Sequence, residues 1–122
     1  MHINYFKDFN KIYKNFNIHQ KNNNFKKILL LGVTFKPNIN DIRNSKVVDL
    51  YEKLNSIYQV SLCDPHVNIT DFKAMYNLRL IDLKNIDIRK YGAFIIAVKH
   101  NIILKFVKKS VFKKNQFIYE IN

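Results

Sequence analysis

The sequence predicts an α/β fold in which a doubly wound, parallel, five-stranded sheet follows an amino-terminal helix. Two short runs, residues 28–31 and 93–98, are wholly apolar, as is typical of central strands that are buried on both faces. Segments in which apolar residues recur at helical spacing separate the predicted strands. Such alternation of strands and helices is the pattern of a parallel sheet with crossover helices.

The order of the predicted elements indicates where a ligand binds. The strands are predicted at residues 28–31, 59–63, 78–81, 93–98 and 117–120, and the helices at 47–54, 71–76, 82–90 and 102–108. Asn44 or Ser45 is suited to cap the first of these helices. The usual strand order for such a chain is 3-2-1-4-5, which reverses direction between strands 1 and 4. We therefore expect a ligand crevice at the carboxyl ends of these two strands, between the loop that begins at Gly32 and residues 99–101.

The amino-terminal part of the chain has a different pattern. Residues 1–25 are predicted to form an amphipathic helix and a linker, and residues 26–122 the ligand-binding domain. Apolar residues recur at roughly helical spacing before the polar stretch 20–24, namely Ile3, Phe6, Phe9, Ile12, Tyr13 and Phe16. A helix of this kind must bury its apolar stripe against the domain that follows or against a partner chain. The sequence leaves both open.

The charge and the single cysteine limit the classes of function. The formal net charge is +12, but the basic residues are scattered, so we expect no specific nucleic-acid partner. Cys63, the only cysteine, excludes an internal disulfide and a multi-cysteine metal site, and no metal is expected. No apolar run approaches the roughly 18 residues of a membrane span, and the first residues lack a secretory signal. We therefore expect a cytoplasmic protein with no membrane partner.

The long loop of residues 32–45 is the main candidate for a binding site. It joins a buried strand to a helix and carries two cations, Lys36 and Arg43. Backbone N–H groups at a helix amino terminus, together with such cations, form a good seat for a pyrophosphate. The alternative is structural, with Lys36 solvated and Arg43 paired with Asp41 or Asp49.

Three blocks of the sequence resemble the carboxy-terminal, UDP-binding domain of the UDP-glucose/GDP-mannose dehydrogenase family. They are Gly32-Val33-Thr34-Phe35-Lys36-Pro37-Asn38, the run from Asp41 to Asp49, and Cys63-Asp64-Pro65-His66-Val67. The resemblance spans residues 26–121 and implies a Rossmann-like domain that binds a UDP-sugar. By this resemblance, Phe35 and Lys36 are substrate-binding residues, and Arg43 is a cofactor-binding residue that reaches the pyrophosphate of NAD. Residues 97–101 look most like the branch of the family that oxidises UDP-N-acetylhexosamines.

The resemblance also implies parts that these 122 residues do not contain. In that family a cysteine in a glycine-rich amino-terminal segment carries the oxidation of the sugar C6 alcohol, and a G-x-G-x-x-G fingerprint holds NAD. The only glycines here are Gly32 and Gly92, so this chain has no such fingerprint. No catalytic residue is assigned, and Cys63, at the end of a buried strand, is expected to be an inert core thiol.

Together these features predict the substrate-binding domain of an NAD-dependent nucleotide-sugar 6-dehydrogenase that makes polysaccharide precursors. We expect the chain alone to be inactive, and its partner to be a separate amino-terminal dehydrogenase domain or a second copy. The alternative is a non-catalytic remnant, or a module that only binds a UDP-sugar.

Overall fold

The computed structural model describes residues 5–20 and 27–121 and consists of four helices and four strands within those ranges. In chain order they are α1 (Tyr5–Gln20), β1 (Lys27–Leu31), α2 (Lys46–Asn55), β2 (Gln59–Cys63), α3 (Ile69–Tyr76), β3 (Ala93–Ile96), α4 (Asn101–Lys109) and β4 (Phe117–Glu120). Two short 3₁₀ turns, Leu83–Asn85 and Ile88–Lys90, precede β3. None of the helices in the described ranges has both the length and the apolar character needed to span a bilayer.

The sheet is parallel, with the strand order β2-β1-β3-β4. In the register, Leu30 of β1 lies opposite Leu62 of β2 on one side and Ile95 of β3 on the other. The predicted change in the direction in which strands are added to the sheet is confirmed. Strand β2 lies on one side of β1, whereas β3 and β4 lie on the other side. A crevice at the switch point therefore opens where β1 and β3 end.

The third of the five predicted strands, at residues 78–81, is not a strand of the sheet, so that prediction was wrong and the sheet has four strands. This segment makes one isolated bridge, between Leu80 and Leu62, and the Ile81 N–H donates to the Leu62 carbonyl at 2.7 Å. The segment is too short to continue the ladder, because it follows the left-handed Asn77 that ends α3 and leads at once into the 3₁₀ turn capped by Asp82.

The helix predicted at residues 82–90 was also wrong, because two aspartates interrupt it. The side chain of Asp82 accepts the Lys84 N–H at 3.0 Å, and that of Asp87 accepts the Arg89 N–H at 3.1 Å. Aspartate side chains that bond to nearby backbone N–H groups favour turns over a continuous helix. The stretch therefore folds as two 3₁₀ turns.

The hydrophobic core lies on both faces of the sheet. Ile28 and Leu30 of β1 join one cluster of buried residues, which includes Leu50 and Leu54 of α2. Alternate residues of the same strands, such as Leu29 and Phe94, belong to a second cluster with Ile103 of α4; that cluster also contains Leu31, Ile96, Tyr91 and Cys63. Burial on both faces accounts for the continuous apolar runs in β1 and β3.

Helix α1 packs on the domain that follows it. Ile12 and Phe16 are buried in the first cluster, and the rings of Phe16 and Tyr58 meet edge to face with centroids 4.7 Å apart. The Tyr119 hydroxyl of β4 donates to Asp8 at 3.1 Å. Ile12 and Phe16 of the predicted stripe are thus buried within this chain, whereas Tyr13 is 44% exposed. The predictions for Ile3, for the side chain of Phe6 and for the linker up to residue 25 lie outside the described residues.

The end of β1 requires a glycine. Gly32 has a φ of +96°, and its N–H donates to the Cys63 carbonyl at 2.8 Å. A Cβ at this position would lie 2.6 Å from the Cβ of Val98 and 2.8 Å from its backbone nitrogen. Both the backbone conformation and the close approach of the chain after β3 therefore exclude a side chain here.

We expect Gly32→Ala to lower the free energy of unfolding by about 3 kcal/mol or more, because it combines a strained φ with a steric clash. Asn77→Ala is the matched control: Asn77 is exposed and also left-handed, with φ 55°, so this substitution should cost only about 1 kcal/mol. Urea unfolding of both variants measures the difference. Equal losses would show that the contact with Val98 is relieved without cost.

Candidate functional site

The candidate site lies at the carboxyl edge of the sheet, where the connections after β1, β2 and β3 meet. Residues 32–45 lead from β1 to α2. The Ala97 and Val98 N–H groups both donate to the Leu31 carbonyl, at 2.9 and 3.3 Å, which bends the chain beyond β3 toward the end of β1. The Asn38 N–H also donates to His100 at 2.8 Å, so the two segments predicted to line the crevice are in contact.

A buried pair of polar side chains, Asp64 and His100, holds these connections together. The side chains of Asp64 and His100 are both 0% exposed, and Asp64 Oδ2 lies 2.9 Å from His100 Nε2. The same carboxylate accepts the Val33 N–H at 2.8 Å and, through Oδ1, the His66 N–H at 2.9 Å. Both oxygens of Asp64 are thus engaged within the domain, as a buried carboxylate requires.

The other side of the His100 ring contacts the loop after β1. His100 Nδ1 accepts the Asn38 N–H at 2.8 Å, and Asn38 has a φ of 63°. The side-chain oxygen of Asn38 accepts the Asn101 N–H at 2.9 Å. Helix α4 begins without a cap from the side chain of His100, so a residue of the neighbouring loop satisfies its first N–H.

The end of the same loop is held by α2 and α3. The Ser45 hydroxyl donates to the Val33 carbonyl at 2.8 Å and caps α2 by accepting from the Val48 N–H, which confirms one of the two predicted caps. The Tyr76 hydroxyl donates to the Ile42 carbonyl and accepts the Ser45 N–H at 3.0 Å. The loop is therefore anchored at both ends.

The predicted substrate residues lie between these anchors. Phe35 is 64% exposed, and Lys36 is also exposed. The Phe35 N–H donates across the loop to the Asp41 carbonyl at 3.1 Å, and the Lys36 carbonyl accepts the Thr34 hydroxyl at 3.0 Å. The backbone at both positions is held while the two side chains face solvent.

Arg43 lies in a different part of the site. It lines a cavity of about 680 Å³, together with Ser45 before α2 and with Met75 and Tyr76 at the end of α3. Phe35 and Lys36 do not line this cavity. The structure therefore separates the predicted cofactor residue from the predicted substrate pair along the same loop.

Arg43 is paired with Asp41, as the structural alternative predicted. Its Nε and Nη2 lie 3.0 and 2.8 Å from the two carboxylate oxygens. Hydrogen bonds from the side chain and the backbone of Arg43 lower the pKa of Asp41 to about 2. The tripeptide Asp87-Ile88-Arg89 makes the same pair, with both distances at 3.0 Å. The pairing is therefore a local property of this tripeptide and by itself indicates no ligand.

The comparison with known families matches this arrangement. A family model described as the UDP binding domain of the UDP-glucose/GDP-mannose dehydrogenase family matches residues 29–122. The chain belongs to this family. The resemblance that the three sequence blocks indicated is confirmed.

Curated relatives of this dehydrogenase-family chain are much longer than it is. UDP-N-acetyl-D-glucosamine 6-dehydrogenase of Salmonella typhi is 34% identical over 74 residues, which are 60% of this chain and 17% of that protein. The protein of the same name from Pseudomonas aeruginosa is 37% identical over 76 residues, 62% of this chain and 18% of that protein. This chain thus spans less than a fifth of the length of these relatives.

Two solved structures share the fold of this UDP-binding domain. A ternary complex of GDP-mannose dehydrogenase from Pseudomonas aeruginosa matches with a TM-score of 0.63 and 18% identity, covering 91% of this chain and 28% of that one. UDP-N-acetyl-mannosamine dehydrogenase Cap5O from Staphylococcus aureus matches with a TM-score of 0.59 and 20% identity, covering 92% and 29%. These likenesses show an α/β fold with a parallel sheet similar to dehydrogenase domains.

Sequence reasoning missed the polar network at the centre of this site. In the sequence, Asp64 was noted only as part of the block Cys63-Asp64-Pro65-His66-Val67, and His100 only within residues 99–101, which were expected to line the crevice; no contact between the two was predicted. The available signal was positional: Asp64 directly follows β2, and His100 lies four residues beyond β3, and these two strands flank β1. Parallel strands present their carboxyl ends at one edge, so polar residues after neighbouring strands meet there.

Cys63 is confirmed as a core residue of this UDP-binding domain. It is 0% exposed, and burial, with a smaller contribution from the charges of Asp64 and Asp82, raises the pKa of its thiol from 9.0 to about 12. A thiol that stays protonated and covered is a poor nucleophile. Burial and the raised pKa therefore make the Cys63 thiol unreactive in this domain.

The raised pKa of Cys63 predicts a loss of stability at alkaline pH. In the unfolded chain the thiol ionises near pH 9, whereas in the folded domain it ionises near pH 12, so the free energy of unfolding falls as pH rises through that interval. We expect the wild type to lose about 1–2 kcal/mol more than Cys63→Ala between pH 8 and about pH 10.5. Urea midpoints at the two pH values measure this. Tyr58 and Tyr119, whose pKa values are also raised to about 12, are common to both proteins and cancel; equal losses would contradict the prediction.

Proposed function

We propose that this chain provides the nucleotide-sugar-binding part of an NAD-dependent UDP-sugar 6-dehydrogenase, which oxidises a C6 alcohol to a carboxylate. The observation that carries the proposal is the position of Phe35 and Lys36. They lie exposed on an anchored loop at the switch point of the sheet, in a chain that matches a UDP-binding domain. The curated relatives named above support a UDP-N-acetylhexosamine as the sugar nucleotide.

The chemistry of the two substrate residues fits a nucleotide sugar. The ammonium of Lys36 can donate to phosphate oxygens or to sugar hydroxyls, and a charge-assisted bond of this kind is stronger than a neutral one. The neighbouring residue Phe35 exposes an apolar ring. Covering this ring with a ligand removes apolar surface from water, which favours binding. The bonds that anchor Phe35 and Lys36 involve only their backbone groups. Both side chains can therefore contact a ligand without breaking these bonds.

Arg43 is the residue that we propose for the pyrophosphate of NAD. Its side chain is 78% exposed and uses Nε and Nη2 to hold Asp41, so the N–H groups of Nη1 lie outside the pair. Bound NAD would accept the hydride from the sugar. This domain does not fit a complete NAD site, since Asp64, at the position where dinucleotide-binding sheets hold a ribose hydroxyl, is buried and engaged.

The remaining parts of the reaction are assigned outside these 122 residues. Cys63 is buried with a pKa of about 12, and the sequence contains no G-x-G-x-x-G. We propose that the nucleophilic cysteine and the dinucleotide fingerprint belong to a dehydrogenase domain that closes over the carboxyl edge of this sheet. That arrangement places Lys36 and Arg43 at the junction of the two domains.

Calorimetric titration of UDP tests the proposal. We expect Lys36→Ala to weaken UDP binding about ten- to a hundredfold, as loss of a charge-assisted hydrogen bond predicts, with little change in melting temperature because Lys36 is exposed. All proteins are measured at one ionic strength, so that charge screening is constant.

Two lysines serve as controls for this titration. Lys99 lies at the same edge of the sheet and pairs with Glu120 at 3.2 Å, whereas Lys114 lies before β4 at the opposite edge. Lys99→Ala should cost less than Lys36→Ala, and Lys114→Ala should cost almost nothing. If the three substitutions weaken binding equally, the protein has a diffuse basic surface and the role of Lys36 is wrong.

A further inference from the structure

The hydrogen bonds of His100 determine which of its ring nitrogens carries the proton. The Asn38 N–H donates to Nδ1 at 2.8 Å, so Nδ1 must offer a lone pair. The proton therefore lies on Nε2, which faces Asp64 Oδ2 at 2.9 Å and the Thr34 hydroxyl at 3.2 Å. The ring is neutral in this arrangement, because an imidazolium would direct a second N–H at the Asn38 N–H.

Thr34 links the buried ring to the backbone of the predicted substrate residue. Its hydroxyl donates to the Lys36 carbonyl at 3.0 Å and can therefore accept from His100 Nε2–H. Thr34 is itself only 3% exposed. A continuous path of hydrogen bonds thus runs from Asp64 through His100 and Thr34 to Lys36, with a second branch to Asn38.

This network bonds to the backbone of residues 33–38 on their buried side and does not contact the exposed side chains of Phe35 and Lys36. It bonds the N–H of Val33, the carbonyl of Lys36 and the N–H of Asn38. A loop held in its binding conformation loses less entropy when a ligand arrives. The burial of Asp64 and His100 at 0% exposure excludes them from direct contact with a ligand.

We propose that His100 is a positioning residue for the nucleotide-sugar site. Fixed by the Asp64 carboxylate, its neutral ring holds the backbone of Asn38 directly and that of Lys36 through the Thr34 hydroxyl, so that the Lys36 ammonium is presented to the phosphates. The inference rests on the proposed role of Lys36 and adds the residue through which the fold controls it. When the network is lost, the Lys36 side chain is still present, but its backbone is no longer held and its contribution to UDP binding is smaller.

A double-mutant cycle with UDP calorimetry tests this coupling in the full 122-residue chain. His100→Phe keeps a ring but removes all three hydrogen bonds of the imidazole, and we expect it to weaken UDP binding about five- to tenfold. In the His100→Phe background, the cost of Lys36→Ala should be about five- to tenfold smaller than in the wild type, as expected if His100 acts through Lys36. His100→Gln, which can accept from one backbone group and donate to a carboxylate, should recover part of the affinity.

Thr34→Val provides the second variant if His100→Phe fails to fold. It removes only the hydroxyl bonded to the Lys36 carbonyl, and we expect a loss of about two- to fivefold in UDP affinity together with a smaller effect of Lys36→Ala. Thr70→Val, on the exposed surface of α3, is its control and should leave affinity unchanged. Amide hydrogen exchange at Asn38 should accelerate in His100→Phe and stay slow in Thr70→Val.

The outcomes separate the positioning role from the proposed function. If Lys36→Ala does not weaken UDP binding in the wild-type background, the substrate role of Lys36 is wrong and the positioning role has no basis. If Lys36→Ala has its full effect in the wild type and the same effect with His100→Phe or Thr34→Val, the positioning role is overturned and the substrate role stands. A reduced effect in those backgrounds supports both.

Discussion

The burial of the Asp64 carboxylate is the constraint on which the carboxyl edge of this domain depends. A charge removed from water must be surrounded by donors, since leaving it unpaired costs several kcal/mol. Its donors are two backbone N–H groups, from the connections after β1 and β2, and the ring of His100 after β3. The hydrogen bonds to this one carboxylate therefore hold three chain segments together. They also fix the buried side of the loop that carries Phe35 and Lys36.

The two Asp-Ile-Arg tripeptides show how local and tertiary effects divide. Both form the same forked ion pair at nearly the same distances, because the residues are two apart and the Arg N–H also bonds the Asp side chain. The surroundings differ. Arg43 lies beside a cavity between α2 and α3, whereas Arg89 lies in the 3₁₀ turn that leads into β3. The ion pair is a local property, and its access to a ligand depends on the fold.

Asparagine takes the place of glycine at the turns of this chain. The sequence has only two glycines, and three of its left-handed positions are occupied by Asn38, Asn44 and Asn77. Asparagine tolerates this conformation because its short side chain can bond locally. At Asn38 the substitution adds a function that glycine lacks, since the side-chain oxygen caps α4. Gly32 is retained where a Cβ would strike the chain after β3.

The sequence by itself determined the elements whose signals are local. The apolar runs predicted β1 and β3, the capping residue predicted the start of α2, and the motif blocks identified the family before any contact was known. Tertiary structure alone decided the rest. Residues 78–81 are apolar enough for a strand, but the chain turns away after one bridge to β2. Asp64 and His100 are 36 residues apart, and Thr34 and His100 are 66 apart. No local pattern records such a network, because its members meet only when parallel strands align their ends.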